Sequence, residues 1–86
     1  MSSTARKIEK EHAATTVWFE SDLLCVMLTD GREVRVPVEF YPRLREANKK
    51  QRENYQLVGL GTGIHWPDIN EDLSVEGIVL GIPARF

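Results

Sequence analysis

The stretch from Leu23 to Val38, LLCVMLTDGREVRVPV, decides the fold. Asp30-Gly31 is flanked on both sides by runs rich in β-branched and apolar residues, the strongest hairpin signal in the chain. Read as a two-residue type I′ turn, it sets Met27 opposite Val34, Cys25 opposite Val36 and Leu23 opposite Val38. One face then carries Leu23, Cys25, Met27, Val34, Val36 and Val38, and is predicted to be core. The other carries Leu24, Val26 and Leu28 beside Glu33 and Arg35. Upstream, Ala13 to Glu20 (AATTVWFE) also reads as a strand, joined by a turn at Ser21-Asp22. If that turn has two residues, Val17 and Phe19 join Leu24 and Val26, and Trp18 joins the core face. The meander is thus apolar on both faces over part of its area. Its second face needs a cover, either the C-terminal segment or a second copy of the chain in a homodimer.

Downstream, Pro42 suits the first turn of a helix, and Asn48 with Gln51 forms a capping box that starts a second short one, Lys49 to Asn54. Tyr55 to Leu60 returns to strand character and pairs with Ile64-His65-Trp66 across Gly59, Gly61 and Gly63, a glycine-kinked hairpin. Asp72 or Ser74 caps a last helix carrying Val75, Ile78, Val79 and Ile82, stopped by Gly81 and Pro83. The expected fold is α+β: a three-stranded antiparallel meander, short helices, the glycine-kinked hairpin and a C-terminal helix. Residues 1–12 read as a flexible N-terminal arm and residues 13–86 as a single domain, as the length of 86 residues suggests.

Bulk properties narrow the function. A net charge of −2 argues against general nucleic-acid binding, and no apolar run approaches the roughly 20 residues that cross a bilayer. The N-terminus MSSTARKIEKEH has no apolar signal region, and the chain has a single cysteine, so a cytoplasmic location is expected. Charge is segregated: residues 42–54 carry a local balance of +3, and residues 64–86 one of −3.

The densest stretch is GLGTGIHWPDINEDLSVEG, Gly59 to Gly77. Its glycine spacing fits neither a dinucleotide loop nor a Walker loop, since no G-x-x-G or Gly-Lys-Ser/Thr follows. Asp68, Asn70 and Asp72 mimic the first ligands of a calcium hand, but Leu73 and Val79 stand where glycine and glutamate are required. His65 near Asp68 could serve a catalytic or metal pair, although a lone histidine beside a tryptophan and a proline is more often structural. No metal or cofactor is expected. Cys25 reads as a small core hydrophobe.

The phrases DGREVRVPVEFYPRLREA, QRENYQLVGLGTGIHWP and DINEDLSVEG together resemble the bacterial family catalogued as domain of unknown function 2442. The likeness runs from about Val17 to Gly81, departing where Asn48 and Lys49 stand in place of the Thr-Pro common in relatives. It implies a small α+β module. Some members are fused to a helix-turn-helix, and many are encoded beside another small protein in a toxin–antitoxin-like arrangement. No catalytic residue is implied. The residues and the resemblance together predict a non-catalytic protein-interaction module, antitoxin-like or inhibitory, whose partner is a small toxin or a nuclease complex. Trp66, Asp68, Glu71, Asp72 and His65 are the expected contact residues, with carboxylates standing in for phosphates. A phage-type, anti-CRISPR-like inhibitor would have the same profile. The competing class is a small enzyme or metal-binding protein, which requires His65 and the carboxylates Asp68, Glu71 and Asp72 to converge.

Overall fold

The computed structural model describes residues 12–84. Residues 1–11, most of the expected arm, lie outside them. His12 is tied down, its Nδ1 lying 2.8 Å from Glu76 Oε1.

Strands β1 (Ala14–Glu20), β2 (Leu23–Leu28) and β3 (Glu33–Pro37) form an antiparallel meander in that order. A single 3-10 turn, Val38–Phe40, leads into two short helices, α1 (Pro42–Arg45) and α2 (Lys49–Glu53). A second meander follows, β4 (Gln56–Val58), β5 (Gly63–Trp66) and β6 (Glu71–Ser74), with a 3-10 turn at Gly59–Gly61 inside its first hairpin. Helix α3 (Val75–Leu80) closes the described chain. The α+β class, the first meander, the short helices, the kinked hairpin and the C-terminal helix are as the sequence predicts. The strand β6 is not.

Local chemistry sets these boundaries. Asn48 accepts from the Gln51 amide at 2.8 Å while the Gln51 side chain accepts from the Asn48 amide at 3.0 Å, completing the predicted capping box. Ser74, not Asp72, caps α3 by accepting from the Gly77 amide at 2.9 Å. Gly81, at φ 72°, ends that helix, with its amide on the Ile78 carbonyl and the Ile82 amide on that of Gly77, a Schellman closure.

The β2–β3 turn differs by one residue, with large consequences. The Leu28 amide donates to the Arg32 carbonyl at 2.8 Å and the Gly31 amide to Leu28 at 3.0 Å, so Thr29, Asp30 and Gly31 make a three-residue loop. Gly31 alone takes positive φ, at 94°. Asp30 instead turns its carboxylate onto the Arg32 amide at 3.0 Å. A type I′ turn needs both central residues left-handed; the carboxylate–amide bond offers Asp30 an alternative. The register is therefore Cys25 opposite Arg35, Leu24 opposite Val36 and Val26 opposite Val34. A slip of one residue exchanges the faces.

The core face is consequently Leu24, Val26, Leu28, Val34 and Val36, joined across the two-residue Ser21-Asp22 turn by Val17 and Phe19. Trp18 lies opposite, half-exposed, in a row with Cys25 and Arg35. There Trp18 Nε1 donates to Glu20 at 2.9 Å and Arg35 pairs with Glu20 at 3.0 Å. This polar lattice roofs Cys25, which is fully buried, and burial raises its thiol pKa.

The apolar face that needed a cover finds one within the chain. Ile64 and Trp66 of β5, Val75 and Ile78 of α3, and Tyr41 and Leu44 around α1 form one core with Val17, Leu24 and Val26. That removes the packing reason for a homodimer.

Candidate functional site

Period-two alternation along β5 and β6 sorts the expected contact residues. His65 pairs with Asp72 and Trp66 with Glu71 across the strands. Ile64 and Trp66 are fully buried, which points this face of the sheet, Glu71 included, at the core. His65 and Asp72 face outward in a row with Gln56. The contact set is thus divided, and two of its members need correction.

Trp66 is core, not an exposed anchor. It is 0% exposed, its ring meets Phe19 edge-on at 6.5 Å, and its Nε1 donates to the Arg52 carbonyl at 3.0 Å. Glu71 is also inside, at 5% exposure. Reading Asp72 as a helix cap concealed a strand, and a strand places every second residue inside. Asp68 and Asp72 are exposed and His65 half-buried. Asp68 accepts from Asn54 Nδ2 at 3.1 Å, whereas His65 Nδ1 lies 2.7 Å from Asp72 Oδ1. Asp68 and Asp72 thus have different partners, the first within the four-residue connection 67–70 and the second in β6. No group of three or more His, Cys, Asp or Glu suited to a metal ion occurs among the described residues.

The buried Glu71 has a physical consequence. Among the described residues its Oε2 has no hydrogen-bond partner, and Arg43 Nη1 stands 3.8 Å from Oε1. Burial raises its pKa, and Arg43 only partly offsets the effect. The nearby Tyr41 hydroxyl is likewise buried without a partner among the described residues; burial, then the Glu71 charge, push its pKa up to about 12. Between the ordinary glutamate value and the raised folded one, the native state holds a proton that the unfolded chain has released. Stability from this group is therefore full below the ordinary glutamate value and is lost as pH rises through the folded one. Glu71→Gln removes that loss. The variant is expected to be more stable than the parent at pH 7, by on the order of 1 kcal/mol, with the gain fading toward pH 4. Urea titrations at the two pH values measure it; a less stable variant at pH 7 would contradict the assignment.

The basic stretch after Pro42 is largely spent on the fold. Arg52 donates from Nε to the Leu44 carbonyl at 2.9 Å and from Nη2 to that of Arg45 at 3.1 Å, finishing the open end of α1. Arg43 donates to the Asn70 carbonyl, steadying the β5–β6 connection.

What the sequence reading missed is an exposed apolar edge on the second sheet. Leu60 is 98% exposed and adopts φ 59°, a left-handed conformation rare for leucine. It sits between Gly59 and Gly61, and both the Thr62 amide and hydroxyl donate to the Gly59 carbonyl, at 3.2 and 2.8 Å. Val58, next along β4, is 43% exposed. The signal was the G-L-G spacing itself: a large apolar residue between glycines in a tight turn has no neighbour to pack against. No helix among the described residues is long and apolar enough to cross a membrane.

The family model described as protein of unknown function (DUF2442) matches residues 14–84. A crystal structure of a protein of unknown function from Rhodospirillum rubrum is 27% identical, with a TM-score of 0.76, covering 87% of this chain and 93% of that one. A solution structure of an uncharacterised protein from Chromobacterium violaceum shares the fold at 16% identity, with a TM-score of 0.73, covering 96% of this chain and 76% of the other. Among curated proteins nothing matches. With the family model spanning both sheets and α3, the chain belongs to the DUF2442 family.

Proposed function

We propose that this protein is a non-catalytic protein-interaction module, of the antitoxin-like or inhibitory kind, and that its contact surface is the outer face of the second sheet with the Leu60 tip. One observation carries the reading: a leucine displayed almost completely to solvent on a backbone held left-handed. A left-handed non-glycine residue costs on the order of 1 kcal/mol, and an exposed leucine gains nothing from the fold in return. Such strain is intelligible where a partner buries the side chain. The tip is already fixed by the Thr62 bonds, so docking loses little entropy.

Beside the tip, the outer face offers Val58, then the His65–Asp72 pair and exposed Asp72. An apolar point flanked by a carboxylate suits a partner with an apolar pocket rimmed by cations. Of the five residues expected from sequence, this surface keeps His65 and Asp72. Asp68 falls outside it, while Trp66 and Glu71 support it from within. The partner class remains a small protein such as a toxin or a nuclease subunit.

Leu60→Gly separates binding from folding. Glycine accepts the left-handed backbone, so stability is expected to stay within about 1 kcal/mol of the parent or to rise. Affinity for the partner captured by the parent protein is expected to fall about tenfold or more, as for a buried anchor. Unchanged affinity in a folded Leu60→Gly variant would rule out this surface.

A further inference from the structure

The geometry points to a second site, distinct from the Leu60 surface: we propose that the cavity between the free edge of β1 and helix α2 binds a small aromatic anion, a carboxylate or phosphate monoester on a planar ring. The cavity holds about 350 Å³ and is lined by Phe19, Ser21, Lys49, Arg52, Glu53 and Tyr55, among others. That volume lies within the roughly 300–1,000 Å³ usual for small-ligand pockets.

The edge strand supplies the first donor. Among the described residues β1 pairs only with β2, so alternate amides of β1 face away from the sheet. The Val17 amide is one, and the Tyr55 hydroxyl accepts it at 3.2 Å. Phe19, two residues on, lines the cavity and turns its amide the same way, with no protein acceptor for it among the described residues. The Ser21 hydroxyl adds a second donor at the turn.

Arg52 supplies the charge, already fixed in place. Its guanidinium carbon stands 5.2 Å from the Phe19 ring centroid, and Nε and Nη2 are held by the Leu44 and Arg45 carbonyls. Its backbone carbonyl accepts from Trp66. Two of its five N–H groups are used, leaving three to bind a ligand. No carboxylate lies within ion-pair distance of it among the described residues; Glu53 is 4.0 Å from Lys49 instead. A guanidinium that is rigid, desolvated on one side by an aromatic ring and unpaired is a ready receptor for a planar oxyanion. Lys49, at 89% side-chain exposure, adds a cation at the rim. Two aromatic residues in the lining, Phe19 and Tyr55, favour a flat, apolar body over a bare ion.

The test is an amide-detected NMR titration of the whole chain with phenyl phosphate and with benzoate, using phenol and inorganic phosphate as controls. Saturable shifts are expected at the Phe19 and Ser21 amides and at Arg52 Nε–H, below about 10 mM for at least one of the two aromatic anions. The controls should bind about tenfold more weakly, because each lacks one half of the recognised chemistry. Lys49→Ala, at an exposed side chain, should leave the spectrum folded and weaken binding about threefold; Arg52→Gln should weaken it about tenfold. Leu60→Gly should change nothing here, so this site and the proposed partner surface stand or fall separately. The proposal is overturned if neither aromatic anion saturates these signals, if inorganic phosphate binds as well as phenyl phosphate, or if Lys49→Ala and Arg52→Gln bind like the parent.

Discussion

Replacing Gly61 by alanine is expected to destabilise the protein by about 3–5 kcal/mol, a large share of the total for a domain of this length. Two costs add. Gly61 has φ 91°, a backbone region that L-residues avoid, which alone costs on the order of 1–3 kcal/mol. A Cβ there would stand 2.7 Å from the Ala14 carbonyl oxygen and 3.3 Å from the Ala13 Cβ. Those atoms belong to the entry of β1, so relief requires the two sheets to separate locally. Gly59 is the control. It also has positive φ, but its added Cβ would meet only the Thr62 hydroxyl, which can rotate away. Gly59→Ala should therefore cost clearly less than Gly61→Ala in urea denaturation. Equal costs would mean that backbone conformation alone, and not the approach to β1, makes Gly61 necessary.

Trp66→Ala is expected to cost a further class of energy, about 3–5 kcal/mol from the cavity it leaves. Trp66 fills the junction of the two sheets, edge-on to Phe19, and its indole N–H satisfies the Arg52 carbonyl. Truncation empties that junction and strands the carbonyl, which adds on the order of 1 kcal/mol or more. The variant is expected to lose its cooperative urea transition at 25 °C, or to melt far below the parent. Trp66→Phe keeps a ring but not the donor, and should fall between the two. A Trp66→Ala variant that stays as stable as the parent and binds its partner weakly would return Trp66 to the role of an exposed anchor.

Sequence reasoning reached the architecture wherever a local signal was unambiguous. The capping box at Asn48 and Gln51, proline at the start of α1, serine before α3 and glycine after it each have one physical meaning in context. The first meander was legible from its β-branched runs. Its register was not, because Asp30-Gly31 serves either a two-residue loop or a three-residue loop with a bulge, and the two differ by one residue. That single residue moved Leu23, Cys25 and Met27 off the core face and put Leu24, Val26 and Leu28 on it.

The candidate surface was less legible for a related reason. Glu71-Asp72-Leu73-Ser74 contains two acids and a cap residue, so it reads as the approach to a helix and not as a strand. Composition placed the functional weight on charges, whereas Glu71 is buried beside Tyr41 and Trp66 packs in the core. Tertiary packing overrode polarity at Glu71. Leu60 is not legible as exposed because a leucine in a strand-like run, YQLVGL, is ordinarily core. Its exposure follows from the positive φ values of its neighbours, which sequence spacing hints at but does not specify.

The most direct test of the proposed function is an NMR footprint of the captured partner on the isotopically labelled chain. Signal loss by cross-saturation should concentrate on the Val58 and Leu60 methyls and extend to the His65 and Asp72 amides, leaving the Asp68 connection and the β1–α2 cavity unaffected. A footprint centred on Asp68, or on the outer face of β1–β3 around Trp18 and Arg35, with Leu60 untouched, would contradict the account.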